Sequence, residues 1–182
     1  MRRALAAALL LGVAATGTVA GAGTPAVAAD PGWHPVKESW QPYPEGDLTL
    51  PAAKYCGSFD LTLSAVEQNV KVKVLSRWDD GTPRTEKYTG LLLSRATNTS
   101  TGASTVLNLS GTAHTLYRID GSLQTYTATG PVGVGWAAGN GPELAQGYYR
   151  FTGYHVVTYG EDGVKHLTTD RGQEIDVCNL VS

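Results

Sequence analysis

The chain has 182 residues, 16% of them charged, with Lys+Arg 14 against Asp+Glu 16 and a net charge of −2 at pH 7. A balance this weak and slightly acidic argues against nucleic acid or an anionic membrane surface as partner, since both require a basic footprint. Behind an apolar leader, about 150 residues remain, the usual size of one domain with its own core, and none of their stretches is long and apolar enough to span a bilayer.

The leader, "MRRALAAALLLGVAATGTVAGAGTPAVAAD", begins with Arg2 and Arg3 and continues as an apolar run from Ala4 to Ala15. Ala26-Val27-Ala28 makes a small-x-small cleavage site. Together these predict a secretion signal over residues 1–29, cleaved on export, and a secreted, extracellular product. Residues 30–52, "DPGWHPVKESWQPYPEGDLTLPA", are too rich in proline for a helix and read as an extended arm carrying Trp33, Trp40 and Tyr43. Those aromatics either pack on the domain that follows, over 53–182, or await a partner.

From residue 54 the pattern is one strand after another. In "FDLTL", Phe59, Leu61 and Leu63 alternate with polar residues, and "NVKVKVLSRW" alternates valine with lysine. A turn at Asp80-Gly81 leads into "RTEKYTGLLLSRA", the loop "TNTSTG", and then "STVLNLSGTAHTLYRI". Asp120-Gly121 turns into "SLQTYTATG", and "GPVGVGWAAGNG" reads as a flexible glycine loop around Trp136. "QGYYRFTGYHVVTY" turns at Asp162-Gly163 into "VKHLTTD", and "GQEIDVC" is the last strand. Asp-Gly between β-rich runs is a strong local hairpin signal. Glycines within such runs, Gly90, Gly111, Gly130 and Gly153, mark bulges or sharp bends, which small barrels use at their corners.

The sequence contains two cysteines, Cys56 and Cys178. In an exported chain they pair, and pairing requires Cα atoms within about 7 Å. The expected fold is therefore all-β, an antiparallel meander of about eight strands forming a small barrel, with a β-sandwich as the alternative. A disulfide would join its first and last strands. Strand parity sets both sulfurs opposite to Phe59, Leu61, Ile175 and Val177, which predicts a bridge on the outer face.

The cysteine before "FDLTL", "ATNTSTGAS", "LNLSG", "DGS", "TATGP" and the closing "GQEIDVC" occur in an order that resembles a group of small secreted β-rich proteins of high-GC Gram-positive bacteria. The likeness covers roughly residues 55–180 and implies export, the disulfide and a β fold. No activity is assigned to that group, so it implies no site residues.

Chemistry-bearing residues are few. A two-residue loop at Asp162-Gly163 would set His155 opposite Asp170 and Tyr159 opposite His166, at cross-strand distances of about 5 Å. A His-Asp pair resembles a general base with its orienting carboxylate, and equally an ordinary polar pair on a solvated face. No motif supplies a nucleophile or a third ligand, so His155 and Asp170 are weak catalytic candidates, and no metal or cofactor is expected. Gly133-x-Gly135-x-x-Ala138 echoes a dinucleotide fingerprint but lacks the helix that fingerprint requires. The remaining candidates are aromatic. Trp78, Tyr88, Tyr117, Tyr126, Trp136, Tyr148 and Tyr154 suit a lined pocket or an interface, with Trp78, Trp136 and Tyr154 the leading ligand-binding candidates. The expected function is that of a monomeric, non-catalytic binding protein holding a small apolar or amphipathic ligand. The alternative is an extracellular protein-interaction or inhibitor module acting through an edge or the aromatic arm. A small hydrolase or isomerase comes third.

Overall fold

All three Asp-Gly dipeptides form hairpin loops of one geometry. In the computed structural model, which describes residues 32–182, the backbone N–H groups of Gly81, Gly121 and Gly163 donate to the carbonyls of Trp78, Arg118 and Gly160. The N–H groups of those three latter residues reach back to Thr82, Ser122 and Val164. The aspartate in each loop accepts from the backbone two residues on, at 2.8–3.0 Å. This is a three-residue loop with a left-handed glycine as its last member, one residue longer than the two-residue turn expected. The predicted secretion signal, residues 1–29, lies outside the described residues.

The loops join β4 (Leu61–Trp78) to β5 (Pro83–Asn98), β7 (Thr112–Tyr117) to β8 (Leu123–Thr129), and β10 (Gly147–Tyr159) to β11 (Lys165–Asp176). Between them lie β6 (Ser104–Asn108) and β9 (Val132–Trp136). The proline-rich arm is extended, as its composition demands. Its short strands β1 (Trp33–Pro35), β2 (Gln41–Pro42) and β3 (Leu48–Leu50) all pair antiparallel with β4. A single 3-10 turn, Ala52–Lys54, precedes β4, and a four-residue helix α1 (Val177–Leu180) follows β11. The described residues therefore form one antiparallel sheet of eleven strands rather than about eight. The glycine-rich stretch around Trp136 is a strand, not a flexible loop, because its alternating Val132, Val134 and Trp136 are buried.

The sheet is open, which corrects the expected barrel. Strand order runs β1-β4-β5-β7-β8-β10-β11 and does not return to its start, because the arm occupies the outer edge of β4 and β11 pairs only with β10. The disulfide does not join the first and last strands. It links Cys56, in the turn before β4, to Cys178 in α1, with Cα atoms 5.4 Å apart. Nor is it an outer staple. Asp176 caps α1 by accepting from the Cys178 N–H at 2.9 Å, and the helical turn swings Cys178 into the core, where it is 6% exposed. Strand parity fails there because the strand has already ended.

What curls the sheet is a line of glycines crossing it. Gly90 of β5, Gly111 between β6 and β7, Gly130 between β8 and β9, Gly153 of β10 and Gly172 of β11 succeed one another across neighbouring strands. Gly153 has φ +106 and pairs with Gly172, and a Cβ on Gly172 would lie 1.8 Å from the Thr152 carbonyl oxygen. Two strands cross this closely only where neither carries a side chain. The resulting bend brings β10 and α1 onto β4–β6. One core cluster packs Leu61 and Leu63 of β4, Ala96 of β5 and Leu107 of β6 against Tyr148 of β10 and Val177 of α1. A second gathers Val132, Val134 and Trp136 of β9 with Phe151 and Val157 of β10. Asn98 ties the ends together by donating to the Val181 carbonyl at 3.0 Å.

Candidate functional site

The curled sheet encloses a cavity of about 440 Å³. Strand β9 makes part of this space. Gly133 and Gly135 turn toward it without side chains, and the Tyr148 hydroxyl and the Tyr55 ring fill the positions their Cβ atoms would take. Leu50, Leu63, Leu92 and Leu109 supply apolar wall. The polar groups include the phenols of Tyr88, Tyr126 and Tyr148, the Glu45 carboxylate and the Lys165 ammonium. An adjoining pocket of about 320 Å³ shares Glu45, Tyr88, Tyr126 and Lys165 and extends toward Tyr43 and Tyr117. Tyr43 stands edge-on to Tyr88, ring centroids 5.1 Å apart, so the arm supplies part of the rim.

Burial pushes the Tyr126 and Tyr148 phenols above the ordinary tyrosine range and raises the Glu45 carboxyl. The Tyr88 phenol is raised by burial and by its bond to Glu86, a carboxylate that also accepts from Tyr117 at 3.0 Å. Lys165 donates to the Gly135 carbonyl at 2.7 Å, and burial lowers its ammonium below the usual 10.5. Folding therefore penalises the charged form of Lys165. That penalty is present below the folded pKa and is relieved as pH rises through it toward 10.5. In urea unfolding across the alkaline range, Lys165→Met is expected to flatten this rise in stability relative to wild type. Parallel curves for the two proteins would show that the amine is fully hydrated.

The three leading aromatic candidates do not line this space. Trp136 is 1% exposed inside the second core cluster, with its indole N–H donated to the Gly141 carbonyl at 3.0 Å. Trp78 is buried at the end of β4, where the Arg84 guanidinium sits between its ring and that of Trp33, 5.2 and 4.2 Å from the centroids. Tyr154 is 41% exposed. Among the other predicted aromatics, Tyr88, Tyr117, Tyr126 and Tyr148 do line the cavity or its adjoining pocket. Glu45, Tyr55 and Lys165 were invisible to sequence reasoning, because the arm, the residue after the 3-10 turn and the start of β11 reach the site only through the curl. The one available signal was the Gly-Val-Gly alternation of β9, a strand face with no side chains that admits another group.

His155 does face Asp170, by a route different from the one predicted. The longer loop shifts the register, so that Tyr159 opposes Lys165 and Thr158 opposes His166. A bulge between Val156 and Val157 then restores the expected pairing at His155. His155 is fully buried and its ring packs on Phe151, centroids 4.5 Å apart. Nε2 lies 3.1 Å from the Thr152 carbonyl oxygen, to which it can only donate. Nδ1 is the nitrogen that faces the carboxylates, 3.4 Å from Asp170 Oδ1 and 3.5 Å from Glu174 Oε1. Burial and the adjacent Asp170 raise the Glu174 carboxyl. Among the described residues no hydroxyl or thiol hydrogen-bonds to His155.

No protein-family model matches the chain, no curated protein is significantly similar to it, and no solved structure matches it significantly.

Proposed function

We propose that the protein is an exported, non-catalytic binder that holds a small amphipathic molecule within the curl of its sheet. The observation that carries this reading is the cavity of about 440 Å³, within the size range of ligand sites, with leucine walls and a few inward polar groups. Leu50, Leu63, Leu92 and Leu109 would take the apolar body of the ligand. Lys165, Glu45 and the tyrosine hydroxyls would orient its polar end. The disulfide suits an oxidising compartment, and among the described residues no helix is long and apolar enough to cross a membrane.

The test is native mass spectrometry of protein purified from culture medium, followed by titration with 1-anilinonaphthalene-8-sulfonate. One copurified small molecule, or one dye site per chain, is expected. Ala113→Trp, placed in the cavity wall, should weaken dye binding at least tenfold while the circular dichroism of the fold is retained. Equal dye affinity in wild type and a folded Ala113→Trp variant would refute the reading.

A second reading rests on the arm. Trp33 and Trp40 are 51% and 39% exposed, more than packing alone requires, and suit a protein partner. A partner captured by wild type and lost on Trp40→Ala, with dye binding intact, would favour it.

A further inference from the structure

From His155, Asp170 and Glu174 we infer a binding site for one divalent first-row transition-metal ion, of which Zn²⁺ is the best fit. One nitrogen and two carboxylate oxygens, with ligand atoms all within 4.8 Å of one another, converge there. The site is separate from the cavity, whose lining includes none of the three residues.

The bend in the sheet builds it. Asp170 and Glu174 are four residues apart on β11, a spacing of about 13 Å along a straight strand. Gly172 lies midway between them, and the fold at the Gly153–Gly172 crossing turns both carboxylates toward the same histidine. A Cβ on Gly172 would come within 2.7 Å of His155 Nε2, so the missing side chain also leaves room for the bond that orients the ring. Histidines that ligate metals commonly donate their other N–H to a carbonyl in this way, which fixes the tautomer and aims the lone pair.

Two buried atoms in the cluster lack partners, His155 Nδ1 and Glu174 Oε1, and His155 is 0% exposed. Native proteins seldom leave buried polar atoms unpaired, because each costs about 1–3 kcal/mol. Contacts of 3.4 and 3.5 Å are long for hydrogen bonds. They match the separation of two ligands that share an ion at about 2.1 Å with a tetrahedral angle, which is about 3.4 Å. A divalent cation would also offset the charge of the two facing carboxylates. An imidazole nitrogen and only three protein ligands disfavour Ca²⁺ and Mg²⁺, which take six or more ligands, nearly all oxygen. The Asp170 side chain is 46% exposed, so water can complete the coordination.

Calorimetric titration of the EDTA-dialysed mature protein with ZnCl₂, MnCl₂ and CaCl₂ tests the site. One Zn²⁺ per chain is expected, bound more tightly than Mn²⁺ and without comparable Ca²⁺ binding. Asp170→Asn and Glu174→Gln should each weaken Zn²⁺ binding at least tenfold. Zn²⁺ should shift the His155 ring resonances in NMR spectra. His166, which pairs with Glu143 at 3.2 Å on the surface, serves as the control, and His166→Asn should bind as wild type does. Absence of stoichiometric Zn²⁺ binding, binding indifferent to both carboxylate substitutions, preference for Ca²⁺, or loss of binding on His166→Asn would each overturn the inference.

Discussion

Replacing both cysteines, Cys56→Ser with Cys178→Ser, is expected to lower the unfolding free energy by about 5 kcal/mol, the chain-entropy value for a loop this long. The bridge spans 122 residues, so almost the whole β domain lies within the loop it closes. It fastens the turn before β4 to the helix after β11, two points that no ladder of backbone hydrogen bonds connects, because the strand order does not close. Without it, the core packing of Leu61, Leu63, Val177 and their neighbours must hold α1 in place unaided, and a serine at 178 would bury a hydroxyl among those side chains. Guanidinium unfolding followed by tryptophan fluorescence reads the effect as a large fall in midpoint. A loss below about 1 kcal/mol would mean that the unfolded chain is already compact or that the bridge is dispensable.

The second large effect is expected at a glycine. Gly172→Ala puts a Cβ 1.8 Å from the Thr152 carbonyl oxygen and 2.7 Å from His155 Nε2. The first of these neighbours is backbone and cannot step aside, so β10 and β11 must separate at the crossing. A cost of about 3 kcal/mol is expected, at the upper end of overpacking effects. Gly46 is the control, since a Cβ there meets nothing within 4 Å and its φ needs no glycine. Gly46→Ala should unfold as wild type does. If Gly172→Ala behaved like Gly46→Ala, the strands would not cross as described, and both the cavity and the histidine cluster would lose the bend that forms them.

The β character of the chain and its hairpins were legible because their signals are local. The three Asp-Gly turns, the alternation in β4 and the interrupting glycines each report on neighbours a few residues away. Closure was harder to read. A disulfide between sequence ends suggests paired terminal strands, but Cys56 and Cys178 lie just outside the strands, and the bond needs only proximity. The His155–Asp170 pairing was correctly placed although the loop length was not, because a bulge compensated for the extra loop residue. Glu174 could not be assigned to that cluster from periodicity, which keeps residues four apart on one strand far from each other. Its approach depends on the bend at Gly172, a tertiary event. The aromatic candidates divided for a similar reason. A pocket wall or an interface was expected for tryptophan and tyrosine alike, but which rings face the cavity depends on how far the sheet curls. Trp136 ended in packed core, while Tyr126 and Tyr148 reached the open space.

The account depends on a single sheet bending along its glycine line until β10 lies against β4–β6. Nuclear Overhauser spectra of the oxidised protein test this most directly. Cross-peaks are predicted from the Tyr148 ring to the methyl groups of Leu109 and Leu63, residues of its own core cluster, one on β4 and the other just past β6. A Tyr148 ring with cross-peaks only to its neighbours on β9–β11, and to neither leucine, would show that the sheet does not curl and would contradict the account.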